Sequence, residues 1–229
     1  MRAPAPLEGL PPEELRKLTE RAKRRTYKAG EVVFQEGDPA DSLHLVLRGR
    51  LAVTVTSPDG REMTFAIVGE DEVLGELALL AVDTHRSATV RALEPTETLA
   101  IHRRDFDHLR QRHRAISELL VDILAARVLM LSAQIEEALY LPVQTRILRR
   151  LVELARTYGD GHVPAVIPLT QEDIAGLAGT ARATVNRILR AERNRGTVSL
   201  EKRRITVLDL DSLVRRSRIV RGTVDVRLG

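Results

Sequence analysis

Residues 170–190 read TQEDIAGLAGTARATVNRILR, and their types suit a contact with duplex DNA. Arg182 and Arg187 can donate paired hydrogen bonds to guanine, and Asn186 can reach adenine or a phosphate. Ala181, Arg182, Ala183, Asn186 and Arg187 fall on the outward side near the start of a second helical pattern, with Val185 and Ile188 anchoring it from within. Thr170 followed by Asp173 predicts a helix cap next to Gln171. Ile174 and Ala178 are inward positions, Ala175 is small where two helices would cross, and Gly179 sits at the turn, where positive φ is cheap. This is helix-turn-helix spacing; the bland alternative is a helical hairpin at the surface. Lys202, Arg203 and Arg204 form a basic turn between the strand-like halves of SLEKRRITVLD. Such a turn suits phosphate, a contact that gives affinity without sequence information.

Residues 74–92, LGELALLAVDTHRSATVRA, carry a second cluster. The turn Gly75, Glu76, Leu77, Ala78 opens a short helix whose N–H groups can meet an anion. Arg86 and Ser87 follow shortly after. A buried arginine with a hydroxyl beside it suits a phosphate, and a carboxylate at another edge suits a ribose hydroxyl. The structural alternative is an Arg86–Glu76 ion pair. No Ser-His-Asp spacing, phosphate loop or HExxH zinc motif appears, so an enzyme is not expected. The chain has no cysteine, which removes thiol nucleophiles and cysteine-ligated iron–sulfur or zinc sites; no metal is expected. His44, His85 and His102 leave haem ligation open, and each is otherwise read as a surface residue.

These groups need a scaffold, and 229 residues allow one or two domains. The composition, 43% apolar and 30% charged, rules out wholesale disorder, and no apolar run is long enough to span a bilayer. No secretory signal is visible, so a cytoplasmic protein is expected. Charge is unevenly spread. From Gln144 onward there are 17 basic against 9 acidic residues, and before it 19 against 23. The basic part suits a polyanion, and aromatic residues at 3% are too scarce for stacking of single-stranded bases.

Residues 1–28 read as a helical lead-in carrying Leu15 and Leu18. Short β-type runs with glycine turns then extend from about Tyr27 to Ile101 and predict a small sandwich or barrel, with a hairpin at Asp59-Gly60. Leu45, Leu47, Leu51, Val53 and Val55 are spaced like one strand face. From Asp105 to Leu141 the period is helical without glycine or proline. Ile116, Leu119, Leu120 and Ile123 form one stripe that can cover the barrel. Val121, Leu124, Val128, Leu131, Ile135 and Ala138 form a seam of coiled-coil spacing, which favours a dimer over burial within one domain. Pro142 ends that helix and opens the next. A loop, GDGHVPAVIP, separates it from the helix-turn-helix; the tail from Asp209 is basic and could bind phosphate, but is read as solvated.

The order GELALL, RSATVRA, seam helix, TQEDIAGLAGTARATVNRIL resembles the cAMP receptor protein and fumarate–nitrate regulator family of bacterial transcription regulators, over roughly residues 25–208. The resemblance implies an α+β chain: a cyclic-nucleotide-binding β-roll at 1–112, a dimerisation helix at 113–141 and a winged helix-turn-helix at 142–229. It implies a homodimer, an allosteric cAMP effector, a near-palindromic duplex operator, RNA polymerase as a partner and no membrane. Gly75, Glu76, Leu77, Ala78, Arg86 and Ser87 lie where that family holds the nucleotide, with Glu76 on the ribose and Arg86 on the phosphate. Arg127 matches an arginine that packs against the acidic residue and the ligand. Leu131 and Ser132 stand where cAMP-responsive members often carry a Thr-Ser pair for the adenine, and Leu131 lacks that hydroxyl. Ala183 stands where a glutamate is frequent in the reading helix. Thr170, Gln171, Ala181, Arg182, Ala183, Asn186, Arg187, Lys202 and Arg203 are the implied DNA contacts. The alternative is the same scaffold sensing haem or another small molecule, or active without any effector.

Overall fold

The computed structural model describes residues 11–218, apart from 57–59, 61, 81–83 and 160–161. The chain divides into two compact units between Ser132 and Ala133.

The first unit begins with α1 (Pro12–Arg21) and continues through β1 (Lys23–Tyr27), β2 (Val32–Phe34), β3 (Ser42–Arg48), β4 (Leu51–Thr56), β5 (Glu62–Val68), β6 (Val73–Leu74), β7 (Thr89–Ala92) and β8 (Thr96–His102). They form two four-stranded antiparallel sheets in the orders β1-β8-β3-β6 and β2-β7-β4-β5. Two helices follow, α2 (Arg103–Arg110) and α3 (Arg114–Tyr140), the latter belonging to this unit as far as Ser132. Strand β3 explains the layering, because it is buried on both faces and successive side chains point opposite ways. Leu43 and Leu45, with Leu47 at the margin, pack on Leu18, Phe106, Leu109, Ile116, Leu119 and Leu120 of the three helices. Val46 turns the other way and joins Leu51, Val68, Leu74 and Val90 from both sheets. The five residues read as one strand face are therefore divided. Leu45 and Leu47 meet the helices, while Leu51 and Val53 meet the opposite sheet, because the chain changes sheet between β3 and β4.

Two further expectations change. The basic run KRRTY is strand β1, not the end of a helix; it pairs with β8, and Arg24 forms an ion pair with Glu97. Charged side chains are common on such edge strands, where they discourage pairing with other chains. The long helix is interrupted at 111–113. No glycine or proline marks that break; there Arg112 and His113 both donate to the Leu109 carbonyl, and His113 Nδ1 lies 2.6 Å from Glu14 Oε1 of α1. The Asp59 half of the expected hairpin turn lies outside the described residues, but its flanking strands β4 and β5 do pair.

His44 is not at the surface. It is 5% exposed, its ring is tilted against Phe34, and Nδ1 lies 3.1 Å from Thr98 Oγ1. Burial first, and the Arg86 charge second, push its pKa from 6.5 down to about 4. The folded value is below the unfolded one, so the neutral ring supports the fold above pH 6.5, and that support is lost as pH falls toward 4. Each pKa unit corresponds to about 1.4 kcal/mol, so the whole window is worth about 3 kcal/mol. His44→Phe should flatten the acid side of the stability profile in that window. Chemical denaturation at a series of pH values measures it, and an unchanged slope would exclude His44 as the cause.

The second unit holds α4 (Val143–Gly159), β9 (Ala165–Ile167), α5 (Gln171–Leu177), α6 (Arg182–Asn194), β10 (Val198–Glu201), β11 (Arg204–Val207) and α7 (Leu210–Ser217). Its sheet runs β10-β11-β9. Ile147, Leu148 and Leu151 of α4 form its core with Ile167, Ile174, Val185, Leu189, Ile205 and Val207. Strand β9 lies inside the segment read as a loop and pairs with β11. The tail read as solvated begins with a real helix. Asp209 caps α7 by accepting from the Ser212 N–H, Leu213 is fully buried, and Arg216 is bound to Glu192.

Candidate functional site

The first candidate is an open cleft in the first unit, lined by residues of the turn after β6, of β7 and of α3. Its floor is the turn after β6. Gly75 has φ +75°, and a Cβ there would stand 2.7 Å from an Arg86 nitrogen and 3.0 Å from the Ser42 carbonyl. Backbone conformation and space both require glycine at that point. Glu76, Leu77 and Ala78 then enter one 3-10 turn.

Arg86 is 7% exposed. Its two terminal nitrogens donate to the Ser42 carbonyl at 2.7 Å and Ser42 Oγ at 3.0 Å, and its guanidinium lies 4.0 Å from the centre of the Phe34 ring. Asp41, 3.8 Å away and mostly exposed, is a weak partner. Burial pulls the Arg86 pKa below its usual value. Its Nε is buried and has no hydrogen-bond partner among the described residues. A desolvated cation with an unused donor is a setting for an anion.

Glu76 does not pair with Arg86, so that structural alternative is set aside. Its Oε1 accepts instead from Arg127 Nε of α3 at 3.2 Å. Arg127, Ser87, Leu77 and Ala78 also line the cleft, together with Phe34, Val53, His85, Ala88 and Val90. Of the residues expected at a nucleotide, only Leu131 and Ser132 do not line it. They lie further along α3, half-buried and exposed respectively. Phe34 went unnoticed in the sequence, because a phenylalanine in a short strand is indistinguishable from core.

The second candidate is the outer face of the second unit. Thr170 caps α5 in a full capping box, its Oγ1 accepting from the Asp173 N–H at 3.2 Å while its own N–H donates to Asp173 Oδ2 at 2.7 Å. Gly179 takes φ +59° at the turn. Ala181, Arg182, Ala183 and Arg187 are exposed at the start of α6. Asn186 Nδ2 donates to Gln171 Oε1 at 2.8 Å, which ties α6 to α5. Thr170, Gln171 and Arg182 share one open concavity with Lys202, Arg203 and Arg204 of the turn between β10 and β11.

Part of the basic surplus is not on this face. Arg146 of α4 donates to the carbonyls of Ala178 at 2.9 Å and Gly179 at 3.2 Å, and Arg150 donates to that of Leu177 at 3.2 Å. These arginines satisfy the carbonyls left open where α5 ends. Sequence reading missed them because an arginine on a helix looks the same whether it faces solvent or a neighbouring helix end.

Residues 24–113 match the family model of the cyclic nucleotide-binding domain, and residues 145–216 match the Crp-like helix-turn-helix domain. A CRP-like cAMP-activated global transcriptional regulator of Mycobacterium tuberculosis is 31% identical over 92% of this chain and 95% of its own length. The chain belongs to the CRP family. The cyclic AMP receptor protein of Thermus thermophilus is 33% identical over 84% of this chain and 87% of its own. Among solved structures, the CRP-family fold recurs in the c-di-GMP responsive regulator CLP of Xanthomonas campestris. The TM-score is 0.74 at 22% identity, over 86% of this chain and 98% of that one. The protein is thus a DNA-binding transcription regulator of the CRP type, with a cyclic-nucleotide-binding domain, and its CRP-family relatives are regulators rather than enzymes. No helix among the described residues is long and apolar enough to cross a membrane.

Proposed function

We propose that the protein is a homodimeric, cytoplasmic regulator whose grip on a near-palindromic operator is set by cAMP. The observation that carries the effector assignment is Arg86, a buried guanidinium whose Nε has no partner among the described residues, in one cleft with the buried carboxylate of Glu76. The fork suits the cyclic phosphate and the carboxylate suits the ribose hydroxyl. Gly75, Leu77, Ala78 and Ser87 complete the phosphate side, and Arg127 holds Glu76. Leu131 and Ser132 serve the adenine, one of them across a dimer formed through α3. The regulator works with RNA polymerase as partner, with residues 1–112 as sensor, 113–141 as dimer helix and 142–229 as reader. The names of the two similar cAMP-dependent regulators favour cAMP among cyclic nucleotides.

Calorimetry with cAMP, cGMP and cyclic di-GMP tests the assignment. One cAMP per protomer, bound most tightly of the three, is the expected outcome. Binding of cyclic di-GMP alone would move the protein to another effector on the same scaffold.

On DNA, Arg182 and Arg187 read guanines, Asn186 with Gln171 sets their position, Thr170 and Ala181 approach the backbone, and Lys202 and Arg203 hold phosphate. Arg187→Ala should cost roughly 1–3 kcal/mol on the preferred site and little on other sequences. Lys202→Ala should weaken all sequences alike and flatten the salt dependence. Ala183 can offer only a methyl to thymine, whereas glutamate there would accept from cytosine N4. Selection from a randomised duplex pool should therefore gain cytosine at one position per half-site in Ala183→Glu; identical selected sequences would mean that Ala183 does not face the bases.

A further inference from the structure

Several charged side chains of the second unit are engaged with each other. Glu137, near the end of α3, accepts from Arg149 at 2.8 Å and from Arg150 at 2.6 Å, both on α4. Arg150 continues to the Leu177 carbonyl where α5 ends, and Arg149 Nε to the Ser217 carbonyl where α7 ends, at 3.4 Å. Each guanidinium thus lies at the negative end of a helix dipole. One residue before Ser217, Arg216 binds both carboxylate oxygens of Glu192 on α6. Glu192 is fully buried, and it also accepts from Thr197 Oγ1 at 2.9 Å and from Arg195 at 3.3 Å.

These contacts make one path from Glu137 through Arg149, α7 and Arg216 to Glu192, with Arg150 branching to α5. A buried pair is a poor route to stability, since apolar side chains of similar volume do as well or better. A bidentate fork does fix orientation, because two parallel bonds fail together when either helix turns. The path joins the end of α3 to the helix that carries Arg182 and Arg187, within one compact unit. We propose that Glu137 and Glu192 are positioning residues for DNA recognition: they hold α6 in one pose against the end of α3, and α7 is a working part of the reading assembly. In a dimer joined through α3 this pose sets the distance between the two reading helices, a consequence that rests on the dimer proposed above.

Glu137→Gln and Glu192→Gln in the full chain test this by amide hydrogen exchange and by selection from a randomised duplex pool. Exchange at residues 185–189 of α6 should quicken roughly tenfold in both variants while residues 147–151 of α4 stay as in the parent. Selected half-sites should keep their bases but spread in separation by about a base pair either way. Parental exchange at 185–189 in Glu137→Gln would overturn the proposal. Equal acceleration in α4 and α6 would overturn it too, since that is general loosening of the unit. If Glu192→Gln does not fold, the double variant Glu192→Leu with Arg216→Leu removes both charges; faster α6 exchange supports the path and parental exchange refutes it. If the parent selects only single half-sites, the dimer reading fails, and the exchange result still decides the path.

Discussion

Arg86→Ala should lose cAMP affinity by about thirtyfold or more, because removing the partner of a desolvated charge costs roughly 2–5 kcal/mol. The side chain reaches the cleft from a rigid support. Its terminal nitrogens hold Ser42, its face lies on Phe34, and Gly75 leaves the room it occupies. Arg86→Lys separates charge from geometry. A lysine keeps the cation and loses the fork, so an intermediate affinity is expected. Calorimetry reads both variants, with far-ultraviolet dichroism as the control for folding. Parental affinity in Arg86→Ala would place the nucleotide elsewhere.

The second large effect concerns the seam of α3. Val121, Val128 and Ile135 are 63%, 61% and 60% exposed on the isolated chain, as are Leu129 and Leu139 at 71% each. Leu124, another residue of the seam, packs partly on the core of its own unit. A charge at Leu124 would therefore damage the fold and confuse the result. Val128→Asp with Ile135→Asp avoids that. Each of these side chains contributes roughly 1.5–3 kcal/mol when fully buried, and a symmetric dimer loses each twice while gaining like-charge repulsion. Sedimentation should find a folded monomer at concentrations where the parent is dimeric. A dimer of unchanged stability would move the interface off this face of α3.

What the sequence made legible was local. The helix-turn-helix could be read because its cap, its small crossing residues and its turn glycine lie within a dozen positions, and each acts on its own neighbours. The cleft was legible as a list of residues but not as a set of contacts. Glu76 and Arg86 are close in sequence and were natural candidates to pair, yet Glu76 is taken by Arg127 from a helix far along the chain. Strand β9 is three residues long and exists because β11 supplies its partner groups, so no local pattern announces it. Helix α7 was hidden in the same way. Its arginines resemble a solvated tail until Glu192, with no exposed surface, is found opposite Arg216. A buried glutamate on a helix has no signature in a single sequence, since its apolar neighbours look the same either way.

The central claim is that a nucleotide in the Arg86 cleft controls reading by α6. Its most direct test is the affinity of the intact protein for a selected duplex, measured by fluorescence anisotropy with and without saturating cAMP at one salt concentration. Allosteric coupling is typically worth about 1–3 kcal/mol, so affinity should rise between roughly fivefold and a hundredfold, and Arg86→Ala should abolish the rise. Equal affinity with and without cAMP, in a protein that calorimetry shows to bind it, would contradict the account.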